Sequence, residues 1–224
     1  MPISGIWKKF FMAITGLFLC TFLVIHMLGN MQLLLNDGGL MFNVYAYKMT
    51  HNPLIKIVSY ITYAGFLLHT LDGIMLARQN RQSRPVAYSY HKPGSGSTWA
   101  SRNMISLGLL IFFFLIAHLA QFWYKYKFTS LSTINYEGVQ IKDLYEVVSK
   151  AFSVWWIVVL YLLSLVALYF HLAHGFQSAF QTLSFRHPRY FKVLKALGIG
   201  FSVLIPLGFA LQPIIVFLRA NKIL

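Results

Sequence analysis

Five long apolar runs dominate this chain of 224 residues and restrict what it can fold into. They cover Phe10–Leu28, Ile55–Ala77, Met104–Tyr124, Val154–Phe180 and Ala196–Phe217. At about 1.5 Å per residue, each run forms a helix that crosses the roughly 30 Å hydrocarbon core of a bilayer. The sequence therefore predicts an all-α integral membrane protein, a single domain over residues 1–224 with five transmembrane helices.

The composition agrees with this class of protein. Hydrophobic residues make up 58% of the chain and charged residues only 11%. The formal net charge of +14 comes from basic residues that lie mostly at the ends of the apolar runs. In those places they set topology and contact lipid headgroups, so the charge does not indicate nucleic-acid binding.

The charge distribution also predicts an orientation. If the N-terminus is cytoplasmic, the inside segments carry eleven of the nineteen Lys and Arg residues and none of the five acidic residues. The outside segments then carry the other eight basic residues together with four acidic ones. The positive-inside rule favours this topology, with the C-terminus outside.

The connecting segments differ in character. Asn36–Gly39 carries a turn signal within the first outside loop. Arg78–Arg102 is expected to be a basic loop, Lys125–Lys150 a partly ordered segment, and Arg186–Lys195 a basic linker. The one cysteine, Cys20, lies within the first run, which excludes a disulfide, an iron–sulfur cluster and a Cys-ligated zinc site within this chain.

Four histidines lie inside apolar runs, one on each of the first four: His26, His69, His118 and His171. An imidazole in lipid is costly without a partner, so each is a candidate functional residue. In the predicted topology, His26 and His118 both fall in the outer half of the membrane, and His69 and His171 both fall in the inner half. Two imidazoles at one depth suit a bis-histidine haem, so the first four helices are predicted to form a di-haem four-helix bundle.

Small residues accompany three of these histidines at helical spacing and are expected to leave room for a flat macrocycle. They are Gly29, Gly65, Gly73, Ala167 and Gly175. His118 is instead flanked by Phe114 and Phe122, which would pack against the ring edge.

Other interpretations of the histidines stay open. All four could serve as hydrogen-bond partners between packed helices. His174 is the alternative to His171 as a ligand, and otherwise a candidate partner for a haem propionate. His51, His91 and His187 fall in loops or interfaces and are expected to be solvated.

At these positions the chain resembles the cytochrome b558 membrane subunit of succinate:quinone oxidoreductases, the single-chain, five-helix, di-haem type. The matching segments are Phe22–Asn30, His69–Gly73, Ser101–Met104 and His171–Gly175. The resemblance implies that His26 and His118 ligate the iron of an outer haem b, and His69 and His171 that of an inner one. It also implies a bacterial inner (cytoplasmic) membrane location, with a flavoprotein subunit and an iron–sulfur subunit on the cytoplasmic face.

The expected role is a membrane subunit of succinate dehydrogenase or fumarate reductase that exchanges electrons with quinone. The chain has neither a Rossmann glycine fingerprint nor a cysteine cluster, so it is not expected to oxidise succinate by itself. Two rivals remain: a di-haem subunit of another quinone-linked enzyme such as a hydrogenase, and a haem-free transporter. Against the transporter, the sequence has no internal repeat and no paired broken helices.

A quinone site needs hydrogen-bond donors near a haem edge. Outer candidates are Asn30, Asn43, Tyr45, Lys48 and His51, and inner candidates are Ser4, Trp7, Asp72 and Arg78. Asp72 is the one acidic residue within a run, and it either carries protons or pairs with a nearby arginine. Some members of the resembled family use a glutamate at the outer start of the second helix, but this chain has no acidic residue between Asp37 and Asp72.

Overall fold

Five helices of the computed structural model are long and apolar enough to cross a membrane, as predicted. The structure describes residues 5–83, 98–185 and 187–224. The long helices are α1 (Gly5–Asn30), α3 (Pro53–Gln82), α5 (Met104–His118), α8 (Trp155–Thr182) and α9 (Pro188–Ala220). A π-helical segment, Leu119–Tyr124, and a short helix α6, Lys125–Phe128, continue α5.

The connections contain further short elements. These are a 3₁₀ turn (Met31–Leu34), α2 (Leu40–His51), α4 (Trp99–Arg102), β1 (Thr133–Tyr136), β2 (Val139–Lys142) and α7 (Leu144–Phe152). The two strands form an antiparallel hairpin in which Tyr136 pairs with Val139. The described residues are therefore mainly helical, with one small hairpin that the sequence did not predict.

Helices α1, α3, α5 and α8 form a closed four-helix ring. Helix α1 packs against α3 and α8, and α5 also packs against α3 and α8. Helix α9 lies outside this ring, against α8 and α1. The first four long helices therefore form a bundle, as the sequence predicts, and the fifth supports it from one side.

The bundle has two distinct ends. We call one the cap end, where the 3₁₀ turn, α2, the hairpin and α7 lie, and the other the N-terminal end, where α1 begins. Large apolar side chains cover the outer surface, and Leu110, Leu163 and Leu204 each remain about 60% exposed or more. Such an apolar surface suits contact with lipid. The backbone polar groups suit it too, because their hydrogen bonds are made within each helix.

A buried polar contact fastens the cap together. The Asn43 side chain is only 1% exposed and donates to Asp143 Oδ1 at 2.8 Å. Its Oδ1 atom accepts the backbone N–H of Tyr145 at 2.9 Å. Asp143 also accepts the N–H of Glu146 and so begins α7. The partly ordered segment predicted at Lys125–Lys150 is thus a hairpin and a capped helix joined to α2.

The prediction of a basic linker at Arg186–Lys195 is wrong for most of these residues, which are helical. Helix α9 begins at Pro188, so Arg189–Lys195 form its first turns, while Arg186 lies outside the described residues. Proline at the first helical position has its φ angle already set and lacks only an N–H that would be unpaired there. The ring of His187 accepts the N–H of Arg189 and caps this start.

Both described ends of the loop expected at Arg78–Arg102 are helical, and residues 84–97 lie outside the described part of the chain. Helix α3 continues to Gln82, and Trp99–Arg102 form the short helix α4. The side chain of Thr98 accepts the N–H of Ser101 and caps α4. The polar residues Gln79–Gln82 prolong α3 past its apolar part because nothing in them, such as proline or glycine, ends a helix.

Candidate functional site: two histidine pairs in the bundle

The cap-end pair consists of His26 on α1 and His118 at the end of α5. Their ring centroids are 5.9 Å apart and the rings are nearly perpendicular. Both residues are half-buried inside the ring of helices.

The second pair lies toward the N-terminal end and consists of His69 on α3 and His171 on α8. Their ring centroids are 6.2 Å apart, with an interplanar angle of 69°. The structure thus brings together the same two pairs that their depths in the membrane predict.

Both separations suit one metal ion between two imidazoles. A metal–imidazole nitrogen bond is about 2.0–2.1 Å, as for zinc, so two coordinating nitrogens lie about 4 Å apart. Adding the distance from nitrogen to ring centre on each side gives about 6 Å between centroids. Two such imidazoles could hold one metal ion, including the iron of a haem, between them.

A tyrosine fixes the tautomer of His118. The Tyr161 hydroxyl donates its single proton to Gln121 Oε1 at 2.6 Å and lies 3.3 Å from His118 Nδ1. Since the tyrosine proton is already used, Nδ1 of His118 must be the donor in the second contact. The lone pair of Nε2 is then free to bind a metal, and the hydrogen bond holds the ring in place.

A threonine does the same for His69. The Thr15 hydroxyl donates to the carbonyl oxygen of Phe11 at 2.8 Å and lies 3.2 Å from His69 Nδ1. By the same argument His69 donates from Nδ1 and keeps Nε2 free. One histidine of each pair therefore has a hydroxyl partner that orients it for coordination through Nε2.

The other two histidines have different surroundings. His26 stacks on Phe22, with centroids 5.3 Å apart and planes within 12°. His171 has a buried Nδ1 atom with no hydrogen-bond partner among the described residues. An unpaired buried nitrogen is costly, which makes His171 a polar group that a bound ligand could stabilise.

Two glycines face the N-terminal-end pair, and the sequence interpretation did not identify either. A Cβ atom on Gly16 of α1 would lie 3.3 Å from His69 Cε1. A Cβ atom on Gly108 of α5 would lie 3.6 Å from His171 Cε1. These glycines keep side-chain volume away from the imidazole edges, where a macrocycle needs space.

The positions of Gly16 and Gly108 in the sequence also give the distance between the two histidine pairs. His26 follows Gly16 by ten residues on α1, and His118 follows Gly108 by ten residues on α5. At 1.5 Å per residue, both helices place the cap-end pair about 15 Å along the bundle from the other pair. The spacing is about half the hydrocarbon thickness of a bilayer.

The glycines chosen from the sequence lie against side chains of other helices. The added Cβ of Gly65 would meet the Phe18 ring at 3.3 Å, and that of Gly175 would meet Met104. Gly29 lies directly under the Tyr45 ring, while Gly73 faces Met12 and Ala167 is buried. That they leave room for a macrocycle stays a prediction, because spacing from a histidine along one helix does not show which side the neighbouring helix occupies.

Aromatic rings enclose His118, as its sequence neighbours indicate. Phe114 and Phe122 lie 5.8 Å and 5.3 Å from its ring centroid. Between them the backbone changes from α-helix to the π-helical segment directly after His118. Such π segments often occur at functional sites, and this one turns Gln121 toward Tyr161.

The candidate quinone residues at the cap end contact different neighbours. Asn43 uses its amide to join α2 to α7, and Tyr45 packs over Gly29. His51 Nδ1 contacts the carbonyl oxygen of Tyr47 at 2.8 Å. Lys48 is exposed and Asn30 is half-buried at the start of the 3₁₀ turn.

The candidates at the N-terminal end surround Asp72. Its Oδ2 atom is buried without a partner among the described residues, and the cation whose charge acts on it is Lys8, not an arginine. Arg78 is exposed and forms no ion pair with Asp72. Trp7 is exposed and contacts Phe10, while Ser4 lies outside the described residues.

His174 and His91 complete the set of predicted histidines. His174 is half-buried on α8, one turn beyond His171 toward the N-terminal end, and close enough to act on it electrostatically. His91 lies outside the described residues. Comparison with known proteins found no matching family model, curated protein or solved structure.

Proposed function

We propose that the chain is a di-haem cytochrome b that exchanges electrons with membrane quinone as the anchor subunit of succinate dehydrogenase or fumarate reductase. The observation that carries the proposal is the pair of imidazoles about 6 Å apart at each of two depths. Bound haem would supply one-electron transfer through its iron. His26 and His118 would hold the cap-end haem, and His69 and His171 the other.

The chain's own residues account for ligand orientation and for exclusion of water. Tyr161 and Thr15 each accept an Nδ1–H and so present the opposite nitrogen of His118 and His69. The rings of Phe114, Phe122 and Phe22 surround the cap-end pair. This surrounding lowers the local dielectric and shields the site from solvent.

The choice of enzyme rests on the order and spacing of the sequence motifs around the four histidines. It implies a flavoprotein and an iron–sulfur subunit on the cytoplasmic face of a bacterial inner membrane, at the N-terminal end of the bundle. Eight of the eleven basic residues of the inside segments lie in the described part of that end, where they could bind acidic partner surfaces.

The first test is a reduced-minus-oxidised visible spectrum of the purified protein, with haem quantified per chain. The proposal expects two b haems per chain. If the folded protein is purified without haem, the proposal is contradicted, and the histidines are instead hydrogen-bond partners between packed helices.

The ligands are tested by two alanine variants that lie one turn apart. His171→Ala should lose one of the two haems because it removes one of the two residues that would hold that haem. His174→Ala is the matched control and should keep both. The opposite result would make His174 the ligand and contradict the assignment of His171.

The partner enzyme is tested by purification of the intact complex. A copurifying subunit with covalently bound flavin supports the succinate dehydrogenase or fumarate reductase assignment. A copurifying nickel protein would instead identify the subunit with a hydrogenase, while leaving the di-haem core intact.

A further inference from the structure

A cavity of about 380 Å³ opens at the cap end beside the π-helical segment. We call it the cap cavity. Its apolar wall comprises Leu131, Val147, Ala151 and Ile157, and Gln121 and Lys125 add polar groups. The volume falls within the roughly 300–1,000 Å³ typical of small-molecule sites.

A hydrogen-bonded chain connects this cavity with the cap-end histidine pair. Gln121, which lines the cavity, accepts the proton of Tyr161 at 2.6 Å. Tyr161 in turn contacts His118 Nδ1 at 3.3 Å. A molecule in the cap cavity is thus separated from His118 by only two side chains.

The cavity offers donors suited to a carbonyl acceptor. Gln121 uses its carbonyl oxygen to bind Tyr161, which leaves both N–H groups of its amide for a ligand. The Lys125 ammonium makes no hydrogen bond or ion pair within the described part of the chain. Two donors on an apolar wall match a flat ring with carbonyl oxygens on opposite edges.

The second lysine at the cavity already has a partner. Lys150 forms an ion pair with Glu146, whose carboxylate also accepts the hydroxyl of Ser132. The hydrogen bond from Lys150 and then that from Ser132 lower the pKa of Glu146. The cavity therefore presents one unpaired cation, Lys125, among the residues that the structure describes.

Exposed aromatic residues indicate how a ligand would reach the cavity. Trp155 and Trp156 begin α8, and Trp123 and Tyr124 end the π-helical segment, all at the cap end. Trp155 is 66% exposed and Trp156 is 55% exposed. Such residues mark the level where hydrocarbon meets headgroups, so the cavity is accessible to an amphipathic molecule dissolved in the bilayer.

A second cavity, about 410 Å³, lies between α1, α8 and α9. Its lining includes Leu17, Val24 and Phe176 and contains no side-chain N–H group. It could accommodate an apolar chain but could not donate to both carbonyl groups of a ring. The cap cavity is the better site for a polar ring.

We propose that the cap cavity binds the ring of a quinone, with one carbonyl oxygen on the Gln121 amide and the other near Lys125. The inference rests on the proposed function for the identity of the ligand. It places the quinone site between the π-helical segment, α6, α7 and α8, away from Asn43, Tyr45 and His51. Gln121 then links the ring to His118 through Tyr161.

The test measures quinone binding independently of electron transfer. The full chain is purified in lipid nanodiscs, and 2,3-dimethyl-1,4-naphthoquinone is titrated while tryptophan fluorescence is followed. Gln121→Leu should raise the Kd at least tenfold because the ring loses its amide donor. Gln140→Leu, at an exposed position of strand β2, is the matched control and should leave the Kd unchanged.

A second variant is needed because Gln121→Leu also removes the hydrogen-bond acceptor of Tyr161 and could weaken binding in that way. Val147→Phe fills part of the cavity without adding a tryptophan to the fluorescence signal, and it should also raise the Kd at least tenfold. An unchanged Kd in both variants would overturn the proposal. Lys125→Met is compared in nanodiscs with and without anionic lipid. If this variant weakens quinone binding only when anionic lipid is present, Lys125 belongs to a lipid headgroup site, and the proposal is also overturned.

Haem content is measured on the same samples and separates the two proposals. Tight quinone binding that depends on Gln121 in a protein without haem would support the cap cavity and contradict the cytochrome. Two haems per chain together with quinone binding insensitive to Gln121 and Val147 would support the cytochrome and overturn the cap cavity.

Discussion

Each histidine pair is asymmetric at the level of single residues. Thr15 orients His69 and Tyr161 orients His118, while their partners have no such hydroxyl. A hydrogen bond accepted from Nδ1–H makes an imidazole a better electron donor to a metal. In the proposed cytochrome, the two hydroxyls would therefore stabilise oxidised iron relative to reduced iron at both pairs.

Thr15→Val is expected to raise the midpoint potential of the haem on the His69 and His171 pair. The change should be on the order of 30 mV, about half of the 59 mV that corresponds to a tenfold change for one electron. A redox titration followed by visible spectroscopy measures it. Thr21→Val is the control, because the Thr21 hydroxyl bonds only to the Leu17 carbonyl on the same helix; an equal shift in both variants would contradict a specific role of Thr15.

Gly16→Leu is expected to abolish haem binding at the same pair while the bundle still folds. The added side chain would enter the space beside His69, where even a Cβ would lie at 3.3 Å. Haem per chain should fall from two to one. Gly200→Leu on α9 is the control, since a Cβ there meets nothing within 4 Å; retention of two haems in Gly16→Leu would show that the space is not needed.

At the level of elements, the cap depends on contacts between segments distant in sequence. Arg219 near the end of α9 donates to the carbonyl oxygens of Leu33, Leu34 and Leu35. These carbonyls end the 3₁₀ turn and would otherwise be partly unpaired. Helix α9 thus fixes the cap as well as packing against the bundle.

Asn43→Ala is expected to destabilise the junction between α2 and α7. The variant removes two hydrogen bonds and leaves the buried N–H of Tyr145 without a partner, a cost of about 2–4 kcal/mol. Thermal unfolding in detergent, followed by circular dichroism, measures the loss. Asn135→Ala removes one exposed contact at the hairpin turn and should cost less than about 1 kcal/mol; equal losses would contradict a special role for Asn43.

At the level of the whole molecule, the two pairs lie about 15 Å apart within a bundle that crosses about 30 Å of hydrocarbon. With the proposed haem at each pair, electrons would have a route along the bundle axis, between the N-terminal end and the cap end. Which end of this route faces the cytoplasm depends on the orientation of the bundle in the membrane. The charge distribution predicts that the N-terminal end faces the cytoplasm.

The predicted orientation is tested by cysteine labelling of spheroplasts. Cys20→Ser first removes the native thiol, and cysteine then replaces either Gln140 at the cap end or Ser83 at the end of α3. A membrane-impermeant maleimide should label Gln140→Cys and not Ser83→Cys, because positive-inside topology places the cap outside. The reverse pattern would contradict the predicted topology and place the proposed dehydrogenase partners at the cap end.

The sequence by itself determined the five helices, the four intramembrane histidines and their sorting into two pairs. Hydrocarbon thickness fixes helix length, and the constant rise per residue converts the position of His26 or His171 in its run into a depth. Those quantities depend on one helix at a time. They need no knowledge of how the helices are rotated or which helices are neighbours.

Only the tertiary structure decided what faces each histidine. Helix rotation places Gly16 and Gly108 opposite imidazoles and turns Gly65 toward Phe18 instead. The Tyr161 contact with His118 also depends on the π-helical segment, which the sequence did not indicate. The physical reason is that these contacts join residues 43 to 63 positions apart in sequence or on different helices, where local periodicity carries no information about the neighbour.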